Sequence, residues 1–203
     1  RFHCVLDGFP GCGKTAITNA VAEMVGRENV LRFDGPSCTK AGLENFFLEG
    51  DISSPKIMIF EEIEKAEVNA HKVLLSLLDS RAEVRKTTGN DGQQVKDVQL
   101  LCLATVNNMD LFRKLHAGAL ASRFTHTIHC PRPSRNCLEQ ILLREIEICK
   151  GKKEWVNPTL DYVLNVEGVT DPRRAIAVCM SGRDKLLDGS YQRALIAINH
   201  TRV

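Results

Sequence analysis

The chain has 203 residues, enough to bury a substantial core as one large domain or as a domain with a small appendage. Its formal charge of +2 and pI near 8.2 are too mild to mark a nucleic-acid binder, and lysine and arginine are scattered rather than massed in one block. No apolar run approaches the roughly 20 residues needed to span a bilayer and no signal-like N-terminus is present, so neither a membrane nor a secretory fate is expected.

The first strand-length apolar burst is Phe2 to Leu6, so close to Arg1 that preceding residues of a parent protein are expected to be missing. Residues 8 to 15 follow as Gly8-Phe9-Pro10-Gly11-Cys12-Gly13-Lys14-Thr15, and Ala16 to Val25 has a helical pattern. The GxxxxGK[ST] spacing between a strand and a helix describes a phosphate-binding loop. Its glycines let backbone N–H groups curl round a polyphosphate, Lys14 reaches the β and γ phosphates, and Thr15 ligates Mg2+. The helix opening at Ala16 adds its positive end. Cys12 lies within this loop, where a disulfide would obstruct it; the eight cysteines show no CxxC pair and are expected as reduced thiols in a cytoplasmic setting.

Further apolar bursts fall at Val30 to Phe33, Ile57 to Phe60, Val98 to Ala104 and Thr127 to Cys130, with helical periodicity between most of them. Continuous bursts suit parallel strands buried on both faces, so the expected fold class is α/β, a three-layer arrangement around a parallel central sheet. Phe46 and Phe47 are expected as core positions of the helix after the second strand. Leu74, Leu75, Leu77 and Leu78 give another helix its apolar stripe, and Val84 to Lys96, with an Asn90-Asp91-Gly92 turn, reads as a hairpin or projecting loop. Pro131 and Pro133 interrupt both strand and helix, which places a domain boundary between residues 1–132 and 133–203. Beyond it Leu138, Ile141, Leu142, Ile146 and Ile148 fall at helical spacings, and the segment is expected to be all-helical. Asp171-Pro172 reads as an N-cap followed by proline in the first helical position.

The third burst ends in Glu61-Glu62, which delivers two carboxylates to the C-terminal edge of a strand beside the phosphate loop. Glu61 is assigned to the metal and Glu62 to the attacking water. His126, His129, Cys130 and Cys137 cluster in sequence, but their spacing matches no familiar structural zinc site, and ordinary strand and loop positions are expected.

Phosphate loop, strand ending in acids, then Ala104-Thr105-Val106-Asn107 after another strand resembles the AAA+ ATPase family, in the family's motif order over nearly the whole chain. The resemblance implies ATP and Mg2+ as cofactors, hydrolysis at the interfaces of a homo-oligomeric, hexamer-like ring or spiral, and a small helical lid after the α/β domain. It implies that Asn107, with Asn108 as the alternative register, hydrogen-bonds the attacking water or γ-phosphate. Ala119-Leu120-Ala121-Ser122-Arg123-Phe124 is similar to the arginine-finger segment, with Arg123 reaching a neighbouring subunit's nucleotide; a surface salt bridge is the alternative. Gly168 to Arg174 is similar to the second-sensor segment, with Arg173 favoured over Arg174 as the nucleotide contact. The family's metal acid is usually aspartate, and Glu61 is one methylene longer.

Three functions stay open on this basis. Gly35-Pro36 through Leu43 resembles the corresponding segment of branch-migration motors, with clamp loaders as relatives, and Arg81, Arg85, Lys86 and Lys96 could track DNA phosphates. Glu61-Ile63-Glu64-Lys65-Ala66 resembles Clp-type machines, which would make the substrate or adaptor a protein, although the aromatic-glycine grip of such machines is missing. A non-hydrolysing nucleotide switch is the third reading, motivated by Glu61.

Overall fold

The computed structural model describes residues 2–50, 52, 56–88 and 92–187. The chain divides into two compact units, Arg1–Phe9 with Gly13–Cys130, and Pro131–Val203 with Pro10–Cys12. The first unit runs β1 (Cys4–Asp7), α1 (Lys14–Val25), β2 (Val30–Asp34), α2 (Lys40–Glu49), β3 (Lys56–Glu61), α3 (Val68–Leu77), β4 (Glu83–Thr88), β5 (Gly92–Asp97), β6 (Leu100–Val106), α4 (Met109–Lys114) and β7 (His126–His129). Five strands form one parallel sheet in the order β2-β3-β6-β1-β7, and β4 and β5 pair antiparallel as a separate ribbon.

The apolar bursts became the sheet strands because a parallel sheet covered by helices hides both faces of its middle strands. Val5, Leu6, Met58, Ile59, Phe60, Leu103 and Ala104 are all buried. The expectation of burial on both faces fails at the margins: β2 is half-buried and β7 is exposed along its length, because each has a neighbour on one side only in the described sheet. Phe47 is completely buried and lies near Phe33, which stacks on Phe60. Phe46 is a correction: it stays 41% exposed, edge-on to Phe33, because successive residues of a helix point about 100° apart and only one can face the sheet squarely.

The β4–β5 ribbon does not project freely at its base. Val84 is fully buried, and the ribbon packs against α2 and α3. Asn90 and Asp91 of the expected turn lie outside the described residues.

In the second unit α5 (Arg135–Ile148), α6 (Val156–Asp161) and α7 (Pro172–Gly182) bury a cluster built on Leu138, Leu142, Ile146, Trp155, Tyr162, Val163 and Val178. The spacing of Leu138, Leu142 and Ile146 puts all three on one face of α5. Asp171 caps α7 by accepting from the Arg173 N–H with Pro172 in the first turn, as the sequence predicts, and Ser134 caps α5 by accepting from the Cys137 N–H, which the sequence reading did not include. All eight cysteines are free thiols. Among the described residues no helix is long and apolar enough to cross a membrane.

Phe47→Ala should cost about 3–5 kcal/mol of unfolding free energy in urea titration, whereas Phe46→Ala should cost less than half as much.

Candidate functional site

The C-terminal ends of β3, β6 and β1 lie side by side, since Phe60 pairs with Ala104 and Leu6 with Thr105. Open parallel sheets bind ligands at this edge, where loops leave the strands. Glu61 ends β3 and Glu62 follows it; Asn107 follows β6; Gly8 follows β1 and donates its N–H to the Val106 carbonyl at 3.3 Å. Three neighbouring strands therefore deliver the loop, the acids and the amide to one edge.

The loop from Gly8 to Gly13 turns the chain from β1 into α1. Gly11 and Gly13 have φ of 80° and 92°, a left-handed backbone that glycine adopts without a Cβ penalty. Gly13 precedes α1 without a side-chain cap hydrogen bond, and no acidic residue stands in the first turn. That is an anion-binding end. Lys14 is buried, and its ammonium donates to the Gly8 carbonyl at 2.6 Å and the Phe9 carbonyl at 3.0 Å, which holds the cation against the loop itself. Thr15 is exposed one position further on.

Glu62 sits in the left-handed region, with φ 50° and ψ 47°, so the chain turns sharply at the second acid. Its N–H donates to the Thr105 hydroxyl at 3.0 Å. Its Oε1 accepts from Asn107 Nδ2 at 2.6 Å and its Oε2 from Lys65 Nζ at 2.7 Å. The backbone N–H of Asn107 in turn donates to Oε1 of the buried Glu64 at 2.8 Å. The Lys65 ammonium hydrogen-bonded to the carboxylate, joined by the Asn107 amide and by the charge of Lys14, holds Glu62 below the usual carboxylate range against the opposing effect of burial. His71 of α3 donates from Nε2 to the Ile63 carbonyl at 2.8 Å, and burial pushes its imidazole pKa down, so it serves as a neutral brace for the turn after Glu62.

The other predicted site residues have different surroundings. Asn108 caps α4 by accepting from the Leu111 N–H at 2.9 Å, while its neighbour Asn107 faces Glu62. Glu61 accepts from the Arg32 guanidinium at 3.1 Å. Arg123 forms an ion pair with Asp79 at 2.8 Å. Arg173 binds Asp171 of its own helix cap at 2.8 and 3.1 Å, and Arg174 pairs with Glu167. His126 and His129 are exposed positions of β7, with His129 3.1 Å from Asp7. Among the described residues no group of three or more His, Cys, Asp or Glu side chains is disposed to hold a metal ion.

Arg32, Thr105, Glu64 and Asp79 were missing from the sequence-predicted site. Only Arg32 left a signal, a cation in the middle of the burst Val30-Leu31-Arg32-Phe33. Thr105 and Glu64 act through pairings between residues some 43 positions apart, which no local pattern records.

The donor set suits a nucleoside triphosphate with its divalent ion. Uncapped helix N–H groups and Lys14 match polyphosphate oxygens, and the Thr15 hydroxyl and Glu61 carboxylate are the hard oxygen ligands that Mg2+ prefers. A glycine-bearing loop at a strand-to-helix turn, beside a strand ending in paired acids, defines a P-loop nucleotide-binding fold. The family model for the ATPase family associated with various cellular activities (AAA) matches residues 4–132, and the chain belongs to that family. No curated protein matches the sequence significantly. Among solved structures, the fold is similar to the Thermotoga maritima RuvB Holliday junction branch migration motor, with TM-score 0.66 and 16% identity over 88% of this chain and 53% of that one. It is also similar to Hsp104 in its closed state with ATPγS and FITC-casein, with TM-score 0.61 and 18% identity over 96% of this chain and 41% of that one. The chain thus spans about half the length of the RuvB structures it matches.

Replacing Lys65 with Met should raise the Glu62 pKa toward its ordinary value. The Glu62 carboxyl resonance, followed by 13C NMR, should then titrate at higher pH in the variant than in the wild type.

Proposed function

We propose that this chain is the ATP-binding and hydrolysing part of a Mg2+-dependent AAA+ ATPase that works as a homo-oligomeric ring or spiral and remodels a macromolecule. The observation that carries the reading is the hydrogen bond between Asn107 and Glu62 at the strand edge that also bears the phosphate loop. A water molecule attacking a γ-phosphate must be oriented by a polar side chain such as a carboxylate, and that side chain must itself be held still. Asn107 does the holding as an amide that cannot ionise. Ionised, Glu62 aims the water and takes up its proton as the new P–O bond forms, while the bond from the γ-phosphorus to the bridging oxygen breaks and ADP leaves.

Lys14 would release the Gly8 and Phe9 carbonyls to meet the β and γ phosphates, and the N–H groups of Lys14, Thr15 and Ala16 would face the same oxygens. Thr15 and Glu61 would hold the Mg2+, which when bound neutralises charge on the phosphates. Arg123 is proposed as the residue that reaches the nucleotide of an adjoining copy, after exchanging its Asp79 partner for phosphate. Arg173 is proposed as the lid residue that senses nucleotide state, with residues 133–203 as the lid domain.

For the substrate, the DNA reading keeps first place through the cations of the β4–β5 ribbon, with a weaker footing than the sequence suggested. Arg85 is held by Glu83, Lys86 by Asn45 and Lys96 by the Gly50 carbonyl, so phosphate tracking requires those bonds to exchange. A protein substrate is the second reading.

Lys14→Ala should lose nucleotide binding, measured with a fluorescent ATP analogue. Glu62→Gln should still bind it and should lose phosphate release by about 10²-fold or more in an assembled sample. Equal near-zero rates for the assembled wild type and both variants would make the protein a nucleotide switch rather than a motor. Affinity for DNA should fall steeply between 50 and 200 mM salt, roughly as for any protein that displaces counterions; affinity independent of salt, or none, would pass the substrate assignment to protein.

A further inference from the structure

The Arg32 side chain makes three contacts that the nucleotide reading leaves unexplained. One guanidinium nitrogen donates to Glu61 Oε1 at 3.1 Å; the other donates to Asn19 Oδ1 at 2.7 Å and to the Thr18 carbonyl at 3.4 Å. Thr18 and Asn19 belong to α1, and Thr18 stands three residues, almost one turn, beyond Thr15. Arg32 on β2 therefore ties the acid at the end of β3 to the flank of the helix that opens at the phosphate loop. Asp34 and Glu61 are register partners, so a β3 side chain with one extra methylene can lean across to β2.

We propose that Arg32 is a positioning residue for Glu61: its guanidinium holds the carboxylate against α1 and sets a low affinity for divalent cation at the nucleotide-loaded site. The proposal rests on the reading of this site as a Mg2+–nucleotide site. A guanidinium stays charged at every working pH and keeps its fork geometry. It occupies an oxygen that a hard cation would use, and its charge opposes a second cation nearby. The pair is partly exposed, 40% for Arg32 and 28% for Glu61, so it can exchange with solvent ions and is not a sealed core bridge.

The test is the Mg2+ concentration needed to half-saturate the tightening of ATPγS binding, read by displacement of a fluorescent ADP analogue from the whole chain. Arg32→Gln should lower that concentration by about fivefold while nucleotide affinity without Mg2+ stays unchanged. Glu61→Gln should raise it, and adding Arg32→Gln to Glu61→Gln should then lower it by a clearly smaller factor than in the wild-type background, since only the repulsion of charge remains. Arg32→Lys, which keeps the charge and loses the fork, should shift it in the same direction as Arg32→Gln by a smaller factor, and it stands in if Arg32→Gln does not fold. An unchanged or higher Mg2+ requirement in Arg32→Gln, or an equal gain in the Glu61→Gln background, overturns the proposal. Failure of the wild type to bind nucleotide at any Mg2+ concentration overturns instead the reading on which it rests.

Discussion

The arrangement depends on the left-handed backbone at Glu62. A non-glycine residue at φ 50° costs about 1–3 kcal/mol relative to an ordinary conformation and persists only where its surroundings over-determine it. Here they do. The Glu62 N–H is held by the Thr105 hydroxyl, its carbonyl accepts from the Lys65 N–H at 2.9 Å, and its carboxylate is held from both sides by Asn107 and Lys65. Gly35 closes the remaining direction, since a Cβ at that position would fall on the Glu62 carbonyl. The turn aims consecutive acids apart: Glu61 leans toward β2 and α1, and Glu62 toward β6.

That divergence gives two adjacent carboxylates different surroundings. Glu62 is in contact with an amide and an ammonium, both donors, and its carboxyl stays ionised below the usual range. Glu61 is in contact with a guanidinium that also grips α1. The same logic of paired restraint recurs away from the phosphate loop. Asp79 is held below its usual range by hydrogen bonds from the hydroxyl and N–H of Ser80 and by the charge of Arg123, and it fixes the Arg123 guanidinium in return. In each case a charged group has a protein partner, which keeps the partly buried charge from standing alone.

Much of the sheet was legible in the chain because its strands are continuous apolar bursts, and period and length suffice to find those. The helix start at Asp171 was legible for a different reason, that capping is local chemistry within a few residues. Phe46 was misplaced because adjacent aromatic residues both look like core until the helix phase is known. The second acid could be found from its place at the end of an apolar run, and its partner Asn107 from a family resemblance. What could not be found was anything requiring register between strands: Thr105 beneath Glu62, Glu64 beneath Asn107, and Gly35 against Glu62. Arg32 belongs to a middle case, visible as an oddity in its strand and without meaning until the α1 flank and the end of β3 were seen to converge on it.

The position of β1 in the sheet has a consequence for how the chain reaches its folded state. Cys4 pairs with Leu103 on one side and with His126 on the other, so in the described sheet both neighbours of the strand that feeds the phosphate loop lie about 100 residues or more further along the chain. Pairings of such long sequence separation form slowly, since closing the intervening loop costs entropy before any contact rewards it. During synthesis β1 must therefore wait for its sheet partners until β6 and β7 have left the ribosome, and a chain ending before β7 would leave one side of β1 open to chaperones and to other copies of itself.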